Sequence, residues 1–252
     1  MLSHQKNDNP IVSELYGGQI KVQFNPLKHQ YLVNGQVTIS VTSALQMLNK
    51  PALVFWSANL MRDYLLDHVR KGMKITESLI LEGSKQHTIK KEREATSGTL
   101  VHQFAEQYIK GLNPDMPEDD RAAFGATAFL KWVTEHEIKF LASEKIVYSR
   151  QFDYVGIMDC TFTMGSEDHK IVHAGDFKTS SGIYNEMRYQ VSAYQYADTE
   201  ESGREYGDKW IIRFDKNTGE FEAKNFSSED HPKDFVAFLG LLQVKRRERE
   251  LS

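Results

Sequence analysis

The stretch from residue 154 to 197 decides the reading of this chain. It runs Tyr154-Val-Gly-Ile-Met-Asp159-Cys-Thr-Phe162, then Ala174-Gly-Asp176-Phe177-Lys178-Thr-Ser180, then Tyr189-Gln190-Val-Ser-Ala-Tyr194-Gln-Tyr-Ala197. The first two runs are apolar and strand-like, and each carries one acidic residue. The second also has a lysine two places on. Side chains alternate faces along a strand, so Asp176 and Lys178 point one way and Phe177 the other, into a core. The polar segment Gly165-Ser-Glu-Asp-His169 between the runs reads as a hairpin turn. Pairing the two strands brings two carboxylates and an ammonium into one pocket, a grouping suited to a divalent metal with a hydrolytic water beside it.

These residues resemble the active-site core of the PD-(D/E)XK nuclease superfamily, in the branch of RecB-type nuclease domains, lambda-type exonucleases and the mitochondrial genome-maintenance exonuclease. Its pattern is an acid on one strand, Asp/Glu-x-Lys on the next, and a helix with Gln-x-x-x-Tyr. Asp159, Asp176-Phe177-Lys178, and Gln190 with Tyr194 match in that order. The branch also carries a helical Gly-x-x-x-His upstream, matched by Gly98-Thr-Leu-Val-His102. The likeness covers roughly residues 97–197, and more weakly 31–64. It implies that Asp159 and Asp176 hold the metal with the Phe177 backbone carbonyl, and that Lys178 orients or helps deprotonate the attacking water. It implies Mg²⁺ or Mn²⁺, one or two ions, as cofactor. Relatives with an iron–sulfur cluster use four cysteines; this chain has one, Cys160, so the resemblance is to the cluster-free branch.

Working outward, the 252 residues are enough for one large domain, with 40% hydrophobic and 26% charged residues, an ordinary globular balance. No apolar run is long enough to span a membrane, and the first nine residues are polar, without the apolar region of a signal peptide. A single cysteine suits a reducing compartment, and the expected location is cytoplasmic. The net charge of −4 speaks against nonspecific coating of nucleic acid but leaves room for a local basic strip.

Residues 1 to about 14 read as a loose terminus. Residues 20–39 read as extended, with Asn34-Gly35 as a two-residue hairpin turn. Helices are expected after Ser40 or Thr42, from Pro51 to about 70, over 76–94, from Thr96 or Ser97 to about 111, and from 119 to about 140. Strands follow near 145–148, 154–163 and 170–178, then a helix over 185–198. A hairpin at 210–224 and a helix over 234–251 with a basic end complete the chain. The pattern predicts an α/β (α+β) fold: a central mixed sheet flanked by helices, a restriction-endonuclease-like core. Residues 1–95 would form an N-terminal hairpin and helical elaboration packed on a core of 96–252.

The candidate site residues each have a plainer alternative. Asp159 and Lys178 suit a structural salt bridge as well as a metal site. His102 lies at the edge of the apolar stripe of Val101, Ala105, Tyr108 and Ile109, which permits a packing role or a ligand. Glu144 is either aimed at the metal or its waters, as in several relatives, or an exposed helix-end carboxylate. Gln190 and Tyr194 share a helix face, facing the site or packing. Trp56 and Tyr64 suit base stacking or the core. Lys85, Lys90, Lys91 and Arg93 are a phosphate track or a solvated face.

The expected function is therefore hydrolysis of phosphodiester bonds by a metal-dependent nuclease, an exonuclease on single- or double-stranded DNA ends. A single-strand-binding or annealing protein is the partner such an enzyme accompanies in recombination, replication or repair. The alternatives are a structure-specific endonuclease and a non-catalytic nucleic-acid-binding protein on the same fold.

Overall fold

The computed structural model describes residues 9–48, 50–165 and 171–252. The fold is mixed α/β. It begins with a four-stranded antiparallel meander, β1 (Ile11–Leu15), β2 (Ile20–Asn25), β3 (Gln30–Val33) and β4 (Gln36–Thr38). Asn34 and Gly35 have φ of 48° and 83°, the left-handed pair that a tight hairpin turn between twisted strands requires. The terminus expected to be loose is instead paired from Ile11 onward, Ile11 opposite Phe24 and Leu15 opposite Ile20. Only Leu15 of that strand is buried, while Ile11 and Val12 face solvent. With one inward residue there is no alternation to read, and the strand is held by its ladder.

The helical part follows. Helix α1 (Val41–Leu45) is capped by Ser40 in a reciprocal capping box with Ser43, and α2 (Pro51–His68) starts on its proline. Helix α3 (Glu77–Ile109) is continuous where two helices were expected. Thr96 and Thr99 do not cap a new helix; their hydroxyls donate to the carbonyls of Glu92 and Ala95, both at 2.9 Å, inside the same one. Helix α4 (Asp120–Glu135), capped by Asp119, is shorter than expected. Phe140 continues its apolar period but lies in the next strand, stacked 5.9 Å from Phe129.

The second sheet has the order β5 (Lys139–Ser149), β6 (Tyr154–Thr163), β7 (His173–Lys178), β8 (Lys209–Phe214), β9 (Phe221–Phe226). All pairs are antiparallel except β7 with β8, which are parallel and joined through α5 (Asn185–Ser202). The chain ends in α6 (His231–Leu251), which starts three residues earlier than expected, after a short 3-10 turn. The β6–β7 turn lies largely outside the described residues, as does Lys170. The two strands are antiparallel neighbours as the hairpin reading requires.

Helices α1, α5 and α6 cover one face around Tyr154, Met158, Ala174 and Ile211. Helix α4 and the second half of α3 cover the other around Phe162, Phe177, Ile212 and Phe214. The meander packs Tyr31 and Val33 onto Ile146, Tyr148 and Val155 of β5 and β6. Among the described residues no helix is long and apolar enough to cross a membrane.

Candidate metal centre

The centre lies where β6 and β7 part. Their ladder ends at Cys160 opposite Gly175. Beyond it, the amide of Phe177 donates to the side chain of Asp159, at 2.7 Å from Oδ2. A carboxylate thus takes an amide that a closed sheet would give to a backbone carbonyl, and the strands open around it. On β7, Phe177 points into the aromatic core, 5.3 Å from the ring of Phe214. Asp176 and Lys178 share the opposite face, with Lys178 Nζ 2.5 Å from Asp176 Oδ2. The plain alternative for Asp159, a bridge to Lys178, is not what forms; the lysine pairs with Asp176.

Two further elements bring side chains to this opening. Glu144 lies within β5, not at a helix end, between the pairs Ser143–Cys160 and Lys145–Met158, and so opposite Asp159. Its φ is +50°, left-handed in mid-strand. Such backbone costs on the order of 1–3 kcal/mol for a non-glycine residue and persists where the surroundings impose it. From α3, His102 Nδ1 comes within 3.8 Å of Asp159 Oδ2. Helix α3 can lie this close because Gly98, one turn earlier, has no side chain. A Cβ there would stand 2.7 Å from Thr179 Oγ1, the residue after Lys178.

One ligand atom each from His102, Glu144 and Asp159 lie within 4.8 Å of one another, an arrangement able to hold a metal ion. Asp176 adds a sharper indication. Its side chain is 1% exposed, and the Lys178 ammonium is the one charged group paired with it. One ammonium faces three crowded carboxyl groups, Asp176, Asp159 and Glu144, and buried anions in excess of their partners are costly unless a further cation joins them. The donor set of imidazole and carboxylates fits Mn²⁺, and its oxygens fit Mg²⁺.

The electrostatics agree. Burial, then the charge of Asp159, pushes Glu144 up to about 9. Burial also pushes Asp176 up to about 6 against the pull of Lys178, and raises Asp159. Three crowded carboxyl groups therefore resist full ionisation without added positive charge. Lys178 is raised: burial works against its charge, but Asp176 and Asp159 outweigh it, so the group is an ammonium. His102 is pushed down to about 4 by burial and by Lys178, which leaves a neutral imidazole with a lone pair to give.

Helix α5 closes the site from the other side. Gln190 Nε2 donates to Tyr194 Oη at 3.0 Å. Tyr194 is buried against Gly156, where a Cβ would stand 2.4 Å from the Tyr194 ring, so the helix lies directly on β6. Burial and the charges of Asp176 and Asp159 raise the Tyr194 phenol well above its usual range. Two neighbours escaped the sequence reading. Tyr31 of the meander is raised by burial and by Glu144 and Asp159. Glu106 adds to the charge at Glu144 and pairs with Lys110. The four-residue spacing from His102 to Glu106 was the available signal.

The basic residues expected as a phosphate track are not brought here. Lys85, Lys90, Lys91 and Arg93 are all exposed on the first half of α3. Arg93, the nearest, is about 13 Å along the helix axis from His102, and at about 100° per residue the four spread around the helix. Tyr64 packs on Gly83 between α2 and α3, 4.0 Å from the ring of His68, and Trp56 is half-buried. Among protein-family models and curated proteins, neither comparison finds a match to this chain.

Proposed function

We propose that this chain is a divalent-metal-dependent DNA nuclease that hydrolyses phosphodiester bonds, working as an exonuclease from DNA ends. The observation that carries the reading is the group of His102, Glu144 and Asp159, whose ligand atoms converge beside Asp176, a buried carboxylate paired with the Lys178 ammonium. Asp159, Asp176, Glu144 and His102 are the residues that would hold Mg²⁺ or Mn²⁺. Such an ion supplies positive charge for the scissile phosphate and a more acidic water. The chain's own groups do the rest. Lys178, kept charged by its neighbours, offers its ammonium to the phosphate charge and to the attacking water. Tyr194 fixes the Gln190 amide beside Lys178, where it can orient a phosphate oxygen. Water adds at phosphorus, one ester oxygen leaves as an alcohol, and the phosphate stays on the other fragment. The preference for ends rests on the likeness of Gly98/His102, Asp159, Asp176/Lys178 and Gln190/Tyr194 to the lambda-type and mitochondrial exonucleases. The same likeness supports a role in recombination, replication or repair.

The test is digestion of linear, nicked and circular DNA with Mg²⁺ or Mn²⁺, with chelator and Asp176→Asn as controls. Progressive loss of linear DNA and survival of closed circles is expected. Cleavage of circles would make the enzyme an endonuclease. DNA binding with no cleavage in either metal would leave a binding protein.

A further inference from the structure

A cavity of about 520 Å³ opens beside the metal centre. Its apolar walls are Leu45 and Leu48 from α1 and the turn after it, Leu53 from the first turn of α2, and Met187 from α5. Lys178 and Gln190 form the side shared with the centre. At the rim Lys50, half in solvent, pairs with Glu186 at 2.9 Å. We infer that this cavity receives one unpaired nucleobase of the strand being cut, so that the substrate is a single-stranded or unpaired DNA end. This rests on the nuclease reading and adds the form of its substrate.

Three observations support it. The first is continuity, since a group seated here touches Lys178 and Gln190 and so has its phosphate at the cleavage centre. The second is chemistry. Aliphatic and thioether side chains suit the face of a base, methionine being both polarizable and adaptable, while the ammonium groups of Lys50 and Lys178 suit the backbone attached to it. The third is exposure. Leu53, on the cavity wall, is 56% exposed, a large apolar side chain that the protein's own core leaves uncovered. A base inside a duplex cannot enter such a recess without losing its pair and its stacking neighbours. A base at a single-stranded end gives up much less. A site of this kind therefore discriminates by strandedness and tolerates any sequence.

The experiment separates this from the cleavage reading by measuring binding without turnover. Oligonucleotides carrying 2-aminopurine at the terminal or penultimate position of either end are titrated with the full chain in chelator or Ca²⁺, as single strands and as blunt duplexes. One label on the single strand should brighten on binding as its base leaves the stack, and the blunt duplex should bind more weakly. Leu53→Glu should abolish the brightening and weaken single-strand binding by about tenfold, in the range expected for loss of one base contact. Leu66→Glu, at a still more exposed leucine farther along α2 that does not line the cavity, should change neither. Equal brightening in Leu53→Glu and wild type, or tighter binding of the duplex, would overturn the inference while cleavage stands. If the protein neither binds nor cuts DNA, both readings fall.

Discussion

Asp176 holds its carboxylate out of water, and the Lys178 ammonium, 2.5 Å away, balances its charge. These two residues share a strand face yet have separable consequences. Asp176→Asn should abolish cleavage and weaken Mn²⁺ binding in calorimetry, because it removes a buried anionic ligand. Lys178→Ala should leave metal binding in place and lower the cleavage rate by about 10² or more, as for loss of one electrostatic group in the transition state. Unaltered metal affinity in the first variant would move the centre elsewhere. Unimpaired cleavage in the second would take the lysine out of the chemistry. His102 gives a third outcome. His102→Ala should raise the metal concentration needed for activity more for Mn²⁺ than for Mg²⁺, since Mg²⁺ favours oxygen and gains little from imidazole. Superimposable titrations in both metals would return His102 to a packing role.

At the scale of elements, the approach of α3 to β7 depends on Gly98. Gly98→Ala gains roughly 1 kcal/mol of helix propensity but sets a methyl 2.7 Å from Thr179 Oγ1. Overpacking of that kind costs about 1–3 kcal/mol, so the clash wins or the helix backs away, and either moves His102. Weaker Mn²⁺ activation is expected, with recovery in Gly98→Ala/Thr179→Ala, where the nearest remaining atom, Thr179 Cβ, is 3.9 Å off. A double variant no better than the single would show that the contact is not what sets the helix. A second element-scale effect comes from α6. Its first residue, His231, has Nδ1 3.0 Å from Gln195 Oε1 of α5. Burial, and then Lys209, holds this imidazole down at about 4, against the nearby Asp234. The unfolded chain, with a histidine pKa near about 6.5, binds the proton first. The contribution is complete above that pH and disappears as pH falls from about 6.5 towards 4. Melting temperature should therefore drop over this window, and His231→Asn should drop less steeply. Parallel curves would assign the acid sensitivity to other groups.

Across the whole molecule, burial is uneven. No residue of α2 is buried, and the first half of α3 buries only Leu79 and Gly83. Strands β6 and β7 are buried almost throughout, and helix α5 buries a continuous stretch from Val191 to Gln195. Hydrogen exchange should be markedly faster in residues 51–94 than in β6 or α5. Equal protection would mean that the helical pair is covered in solution. The same contrast explains what was legible in the sequence. Strand β6 was readable to the residue because it is buried and patterned, and helix α5 was readable at its start, though it runs four residues beyond the expected end to Ser202. The long α3 was not, because Thr96, Ser97 and Gly98 look like a cap and a breaker. Two threonines bond back into the helix, and the glycine is there for Thr179 of another element. Glu144 was placed beside the right strand but its left-handed backbone, opposite Asp159, arises only from pairing. Tyr31 reaches the site through a sheet whose contact with β5 and β6 has no local signature.

Helix α3 runs unbroken for 33 residues, about 50 Å at the usual rise. It is fastened part-way along. Glu94 is gripped by Arg121 at 2.6 Å and by Lys216, a lysine only 3% exposed that also holds the Glu94 carbonyl at 2.9 Å. An unbroken helix keeps angular phase, about 100° for each residue. One residue inserted between Glu94 and His102 would swing the imidazole away from Asp159. The same insertion before Glu94 would spare the imidazole and turn the side of the helix that meets α2. The fastening thus divides one rod into a stretch whose length is locked to the candidate metal centre and a stretch whose length is free to drift. An insertion scan along residues 77–102 should show activity surviving on one side of Glu94 and vanishing on the other.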